Sequence, residues 1–303
     1  DQMPYPTKLP AAALEFDMTA LGHATSNILD ISTAQNTVTF ENGSRFKCYI
    51  HATKNIGYFS FDNLPAAKVN DAVKSLTPTL IVHNYANTNN NVTNDNSHAG
   101  QGLQKLGYAK GTVTQTPNNI SYRQPTYDGH YYEVKIQWKR FPGNKIVGSW
   151  VIESNKPAVQ PVLNTVAKEP TSLDSHLLWW KNFWSKSSIN IPDLLIEKQY
   201  YLEMYKLGAA SRPTAPAITL QAVWTADNGS LPPWKGDFHN DLNTQLSYWP
   251  TYTGNRLKEG ESFINWLWNQ RDKNKLYTKQ YFGVEGLNTP GVATLTGDPM
   301  GGW

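Results

Sequence analysis

The chemistry-bearing residues of this chain crowd into one stretch, Trp224 to Trp249. Within it stand Trp224, Trp234, His239, Asn240, Asp241, Asn243, Gln245 and Trp249, with further carboxylates at Asp227 and Asp237. Pro232, Pro233, Gly229 and Gly236 hold the backbone away from regular structure there, so the stretch reads as a loop running into a helix. Asp241 and Gln245 are four residues apart and would share a helical face; Asn243 is displaced from them, nearer the helix start. The first N–H groups of a helix have no partner within it and add donors. Carboxylates, carboxamides and unused N–H groups together can hydrogen-bond several hydroxyls, while an indole from Trp224 or Trp234 covers the apolar face of a sugar ring. The competing reading is plain: Asp and Asn near a helix start are also ordinary caps.

The rest of the composition narrows the classes. The 303 residues are 39% hydrophobic and 17% charged, enough for about two domains. No apolar run approaches the ~18 to 20 residues of a membrane span. A net charge of +3 without a Lys/Arg block offers no field for nucleic acid. Cys48 is alone, which removes disulfide frameworks and cysteine zinc sites. His23, His51, His83, His98, His130, His176 and His239 lack ligand spacing, so no cofactor or metal is expected, with calcium in an Asp/Asn loop left open. The chain starts at Asp1 without a charged and apolar leader. Low charge, the lone Cys and Asn/Thr richness point to an exported bacterial protein.

Two halves must position the Trp224–Trp249 stretch. Trp138 and Trp150 are the only tryptophans before residue 166, and nine follow. From Ala13 to Trp150 the apolar residues alternate. Val38-Thr39-Phe40 turns at Asn42-Gly43 into Arg45-Phe46-Lys47-Cys48, a strong hairpin signal because both turn positions accept positive φ. Ile56–Phe61, Thr79–Val82, Tyr131–Trp138 and Lys145–Ile152 repeat the pattern, which predicts an antiparallel β-sandwich acting as a scaffold. Beyond it, Ser172 and Asp174 can cap a helix carrying Trp179, Trp180, Phe183 and Trp184. A second helix runs from about Pro192 to Gly208, and two more are expected over Asn240–Trp249 and Glu261–Arg271. The Trp179–Trp184 stripe is read as core packing rather than sugar stacking.

At this point a resemblance enters. Leu220-Gln221-Ala222-Val223-Trp224, Pro232-Pro233-Trp234 and His239-Asn240-Asp241-Leu242-Asn243-Thr244-Gln245-Leu246-Ser247-Tyr248-Trp249-Pro250 resemble a signature of glycoside hydrolase family 95 and related (α/α)6-barrel glycosidases. In that family the pattern runs Leu-Gln-Gly-x-Trp, Pro-Pro-Trp, and His-x-Asn-x-Asn-x-x-x-Asn-Tyr-Trp-Pro. Ser211-Arg212-Pro213 is similar to the family's exit from a linker helix, and Leu29-Asp30-Ile31 to its β-domain. The resemblance implies a multidomain β + α protein: a β-sandwich over residues 1–165, a helical linker over 166–212 and the start of an (α/α)6 barrel over 213–303. It also implies inversion at an α-L-fucoside or α-galactoside-like linkage of an oligo- or polysaccharide, with a Glu as acid and an Asp base helped by two Asn residues. Asn243 matches the second Asn; Asp241 stands in place of the first, and Ser247 replaces the Asn before Tyr-Trp. Asp241 is therefore a candidate base in a divergent relative.

Twelve barrel helices of about 12 residues need more chain than follows Thr165. The expectation is a central portion of a longer protein, with a second chain or a missing segment completing the barrel and supplying the family's own acid and base. Within the chain, Glu285 lies in a Gly283-Val284-Glu285-Gly286 loop that can carry it to a ligand. Asp241 and Glu285 would serve an inverting mechanism if their carboxyl groups sit about 6.5 to 9.5 Å apart; an ordinary loop acid is the alternative. Two other functions compete with hydrolysis. A polysaccharide lyase also combines helical toroids with β-sandwiches, although those usually place the helices first. A non-catalytic carbohydrate-binding protein would use the same cluster only to grip sugar.

Overall fold

The computed structural model describes residues 8–65, 76–86, 102–155, 169–224 and 236–300. Twelve strands and five helices lie among them. The strands are β1 (Ala13–Glu15), β2 (Ala24–Asp30), β3 (Gln35–Phe40), β4 (Arg45–Ile50), β5 (Ile56–Asp62), β6 (Thr79–Ile81), β7 (Thr112–Thr116), β8 (Asn119–Pro125), β9 (Tyr131–Phe141), β10 (Lys145–Ser154), β11 (Phe238–His239) and β12 (Val292–Ala293). The helices are α1 (Glu169–Trp184), α2 (Leu194–Ala210), α3 (Asn243–Thr253), α4 (Leu257–Asn269) and α5 (Arg271–Phe282).

Eight strands form one antiparallel sheet in the order β2-β3-β4-β5-β10-β9-β8-β7. The Asn42-Gly43 hairpin is present: Gly43 takes φ 81°, and the Ser44 N–H donates to Asn42 Oδ1 at 2.9 Å. Side chains of β5 alternate, so Gly57, Phe59 and Phe61 share one face. In the register with β10, Gly57 faces Trp150 and Phe59 faces Gly148. Each ring lies over the partner's glycine; a Cβ at Gly148 would stand 2.0 Å from Phe59, and one at Gly57 2.1 Å from Trp150. The apolar core grows on this face from Phe40, Phe46, Phe59, Phe61, Ile136, Trp138 and Ile146. Phe16 closes over it at 4.8 Å from Phe59, beside the small β1–β6 pair.

The helices build a second core around Trp180, Phe183, Met204, Leu207, Tyr248, Phe263 and Trp266. Trp180 is 2% exposed and Trp184 sends its indole N–H to Ile31 O at 3.0 Å, so the Trp stripe packs as expected. Three helix boundaries differ from those read in the sequence. α1 begins at Glu169, ahead of Ser172 and Asp174, with Pro170 suited to a first turn. α3 begins at Asn243 rather than Asn240, because the backbone up to His239 is held extended against Val292 and Asn240 continues that pairing with its N–H on Gly291 O at 2.6 Å, and it runs through Pro250 to Thr253. The fourth expected helix starts earlier, at Leu257, and α5 follows it after Gln270 without having been foreseen.

Helix and sheet are tied by polar contacts on the face opposite the aromatic core. His176 on α1 is fully buried: its Nδ1 accepts from Ala52 N at 3.1 Å and its Nε2 donates to Thr33 O at 2.6 Å. His51 reaches Ser175 Oγ at 3.0 Å beside it. Arg212, just past α2, donates to Ala52 O at 2.7 Å and lies 3.9 Å over the Trp179 ring. The Ser211-Arg212 pair thus joins the two halves, and Ser211 Oγ also donates to Glu259 O at 2.5 Å.

Candidate active site

The backbone before α3 is held by a two-residue strand pair. Phe238 faces Ala293 and His239 faces Val292 across β11–β12. Asn240 extends the clamp by donating from Nδ2 to Pro290 O at 3.0 Å. Phe238 points into the helical core, stacked on Trp266 at 4.5 Å. Asp237 and His239 therefore project to the other side, and the Asp237 Oδ1 lies 3.0 Å from His239 Nε2. Both are largely removed from solvent, with side chains 5% and 13% exposed.

At the helix start, the N-cap is Leu242, which makes no side-chain capping bond. Asp241 and Asn243 are exposed and are not spent as caps. Asp241 precedes the helix, so the shared face expected for Asp241 and Gln245 is not formed; Gln245 turns back and donates from Nε2 to Asn240 O. The first helical N–H to find an i−4 carbonyl is Leu246, on Leu242 O at 3.0 Å. Ser247 donates to Asn243 O at 3.0 Å. Tyr248 is buried and its hydroxyl accepts from Ile218 N at 2.7 Å, anchoring α3 to the chain ahead of Gln221. Around this start, Gln221 Oε1, Asn240 Oδ1, Thr244 Oγ1 and Gln245 Oε1 are buried oxygens without a hydrogen-bond partner among the described residues. Buried oxygens of this kind are ordinarily matched by a protein donor or by an ordered water.

The remaining predicted residues spread out. Trp249 and Trp224 expose large indole surfaces, 56% and 54% of each residue. Trp234 lies outside the described residues. Glu285 is 86% exposed beyond the end of α5 and pairs with Lys279. Asp241, His239, Asn240, Asn243 and Gln245 are thus gathered by one strand-to-helix junction, whereas Glu285 sits on a separate loop with its own partner. A cleft of about 880 Å³ opens between the sheet and the helices, with Tyr127, Tyr131, Tyr132, Ile218, Asp237 and Phe238 in its walls. Among the described residues, no group of three or more His, Cys, Asp or Glu is placed to hold a metal ion.

Two buried charges went unread in the sequence. Glu259, 5% exposed on α4, receives Lys186 Nζ at 3.1 Å on both oxygens. Arg256 is fully buried, 4.3 Å over the Phe183 ring, and donates to Gly254 O at 2.9 Å. Burial pushes the neighbouring Arg212 guanidinium down to about 10, with Glu259 acting in the opposite sense. These groups brace α2, α3 and α4 behind the junction rather than facing it.

Comparison with known proteins adds the chemistry. Residues 181–299 match the family model described as the glycosyl hydrolase family 95 catalytic domain. Alpha-L-fucosidase 2 of Arabidopsis thaliana is 36% identical over 73 residues, a stretch that is 24% of this chain and 8% of that protein. The family match spans the motifs around His239 and Trp249, and both comparisons support a glycosidase. Residues 181–299 are thus similar to the catalytic domain of glycosyl hydrolase family 95.

Proposed function

We propose that the chain belongs to a glycoside hydrolase that cleaves an α-L-fucoside or α-galactoside-like linkage with inversion. The observation that carries the reading is the α3 start: within the family-matched segment, Asp241 and Asn243 stand exposed and free of capping duty above buried acceptors at Asn240, Thr244 and Gln245. Asp241 is the base that activates water, Asn243 orients that water or the sugar, and Trp224, Trp234, His239, Asn240, Gln245 and Trp249 hold the substrate. Glu285 is the candidate acid, on an exposed loop whose Gly283 and Gly286 take φ 72° and 150°. Protonating a leaving group in this way requires exchanging its pairing with Lys279.

The domain division at residues 165 and 212, the full sandwich and the (α/α)6 barrel belong to the same proposal, as does export from the cell. A second chain or further segment completing the barrel is supported by the apolar side chains that the helices expose, among them Tyr252, Trp268 and Tyr281. The test is a panel of aryl α-L-fucosides and α-galactosides on the intact polypeptide, its mass first compared with 34.0 kDa, with the product anomer followed by NMR. Inverted product that disappears in Asp241→Asn supports the reading; retained anomer refutes inversion. Full activity in Glu285→Gln assigns the acid to another group.

A binding protein is the second reading, favoured by the exposed, Lys279-paired state of Glu285. It predicts sugar binding with no turnover of any aryl glycoside. A lyase would instead produce an unsaturated product absorbing in the ultraviolet.

A further inference from the structure

We infer that Lys8 is a positioning residue for sugar binding: it ties to the sheet the turn that carries Trp224, and so sets where that indole meets a sugar ring. The inference deepens the glycosidase reading and rests on it for the ligand, while the placement of Trp224 stands apart from it. Trp224 is 54% exposed and ends a turn whose backbone is bonded throughout. Ile218 N donates to the Tyr248 hydroxyl at 2.7 Å and Leu220 N to Asp237 O at 2.9 Å. Ala222 N donates to Thr219 O at 3.0 Å and Trp224 N to Gln221 O at 3.1 Å. Ala222 takes φ 49°, which an L-residue holds only where its surroundings dictate it, and it is buried in the helical core. The backbone of Trp224 is therefore set from Thr219 onward, with little slack between the two.

Lys8 grips that turn at its root from two sides. Its stem lies across Gly236, where an added Cβ would stand 2.7 Å from Lys8 Cβ and 3.0 Å from Cδ, and Gly236 takes φ 62°. Glycine suits both the close approach and that left-handed conformation. The Lys8 Nζ donates to Thr219 Oγ1 at 3.3 Å. Gly236 precedes Asp237, whose carbonyl takes the Leu220 N–H, so Lys8 spans the two chain segments that meet there. The ammonium is partly withdrawn from water, which pulls its pKa below the usual lysine value and strengthens its bond to the hydroxyl. On its other side Lys8 is fixed to the sheet. Leu9 packs with Leu103, Leu106 and Tyr108, the Tyr132 hydroxyl donates to Ala11 O at 2.9 Å, and Ala11 and Ala12 lie on the sheet core. Lys8, Thr219, Ala222, Val223 and Gly236 all stand in the walls of the cleft between sheet and helices. Displacing Lys8 thus alters the root of the turn and, through its bonded backbone, the indole of Trp224.

Lys8→Met keeps a stem over Gly236 and removes the ammonium; Thr219→Val keeps the shape of the turn and removes the acceptor. The measurements are ¹⁹F NMR of the intact polypeptide labelled with fluorotryptophan, with Trp224 assigned through Trp224→Phe, and calorimetric binding of L-fucose and of galactose. Both substitutions are expected to shift or broaden the Trp224 signal and to weaken sugar binding about threefold, within the scale of one hydrogen bond. Lys8→Arg, which can still donate to Thr219, should restore most of both readouts. The double substitution should lose little more than either single one, since the two positions act as one unit. An unmoved Trp224 signal in a folded Lys8→Met protein overturns the inference, as do additive losses in the double substitution. A signal that moves while sugar affinity stays unchanged overturns it as well. A wild type that binds neither sugar, with a Trp224 signal that moves in Lys8→Met, sinks the glycosidase reading and leaves the hold of Lys8 on Trp224 standing.

Discussion

His176 carries the sharpest stability prediction, because its two ring nitrogens bridge three chain segments in a dry setting. The side chain is fully buried, accepting from Ala52 N and donating to Thr33 O, with the Tyr49 ring 4.7 Å away and His51 5.7 Å away. His176→Ala leaves the buried Ala52 N–H unpaired, costing about 1 to 3 kcal/mol, and removes a bond to Thr33 worth about 0.5 to 1.5 kcal/mol. The void between Tyr49 and His51 adds about 1 kcal/mol, for a loss of about 3 to 5 kcal/mol in all. Against a typical ~5 to 15 kcal/mol of total stability this is a large fraction. Urea unfolding followed by tryptophan fluorescence reads it directly. Burial, reinforced by the charge of Arg212 and opposed by the Thr33 carbonyl, holds His176 below its ordinary 6.5. As pH falls below about 6.5 the unfolded chain takes up a proton that the folded ring does not. The associated stability is therefore complete above that pH and declines below it, by at most ~1.4 kcal/mol per pH unit, until the folded ring itself titrates. His176→Asn keeps an acceptor near Ala52 N but cannot titrate, so it should lose less stability and show a shallower slope. A loss under about 0.5 kcal/mol in the alanine variant, within the range of surface substitutions, refutes the bridge. Equal slopes in wild type and His176→Asn refute the pH argument.

Other substitutions test the packing behind the junction. Gly148→Ala drives a methyl group to 2.0 Å from the Phe59 ring and should cost about 1 to 3 kcal/mol by overpacking, seen as a lower urea midpoint. Glu259→Ala strips Lys186 and the nearby Arg256 of their carboxylate; a fully buried pair would lose ~3 to 5 kcal/mol, and the 30% exposure of Lys186 lowers this to about 2 kcal/mol. Thermal unfolding at low and at 1 M salt checks it, with only a small salt effect expected. Ser211→Ala removes the hydroxyl bonded to Glu259 O and should cost about 1 to 2 kcal/mol while leaving the secondary structure seen by circular dichroism unchanged.

The sheet was legible because its signals are local and periodic. Asn42-Gly43 between alternating runs names a hairpin, and Tyr132, Val134, Ile136 and Trp138 stand two apart on the strand that pairs with Lys145–Ser154. Helix starts were less legible because competing bonds decide them. Asn240 resembles a helix start, yet His239 before it is held in an extended pair with Val292, more than fifty residues away, and the helix waits until Asn243. The α5 segment, Arg-Asp-Lys-Asn-Lys-Leu-Tyr-Thr-Lys-Gln-Tyr-Phe, shows no clear apolar stripe. It is set by tertiary contacts such as Asn274 Nδ2 to Thr289 Oγ1 at 3.1 Å and Thr278 Oγ1 accepting from Asn288 N at 2.7 Å.

The site divides along the same physical line. Asp241, Asn243 and Trp249 were singled out because a motif of fixed spacing surrounds them, and the strand-to-helix junction and α3 carry that stretch. The burial of Asp237 was not legible because the strand beside it is only two residues long, too short to register as a period of two. Glu259 lies on an amphipathic helix, where an acid ordinarily marks the solvent side; Lys186, 73 residues earlier, is what permits its burial. Each missed group is a charge whose neighbour comes from a distant segment or from a strand too short to announce itself. Asp237, 3.0 Å from His239, and Glu259, paired with Lys186, are the two such charges that pack beside the junction and behind it.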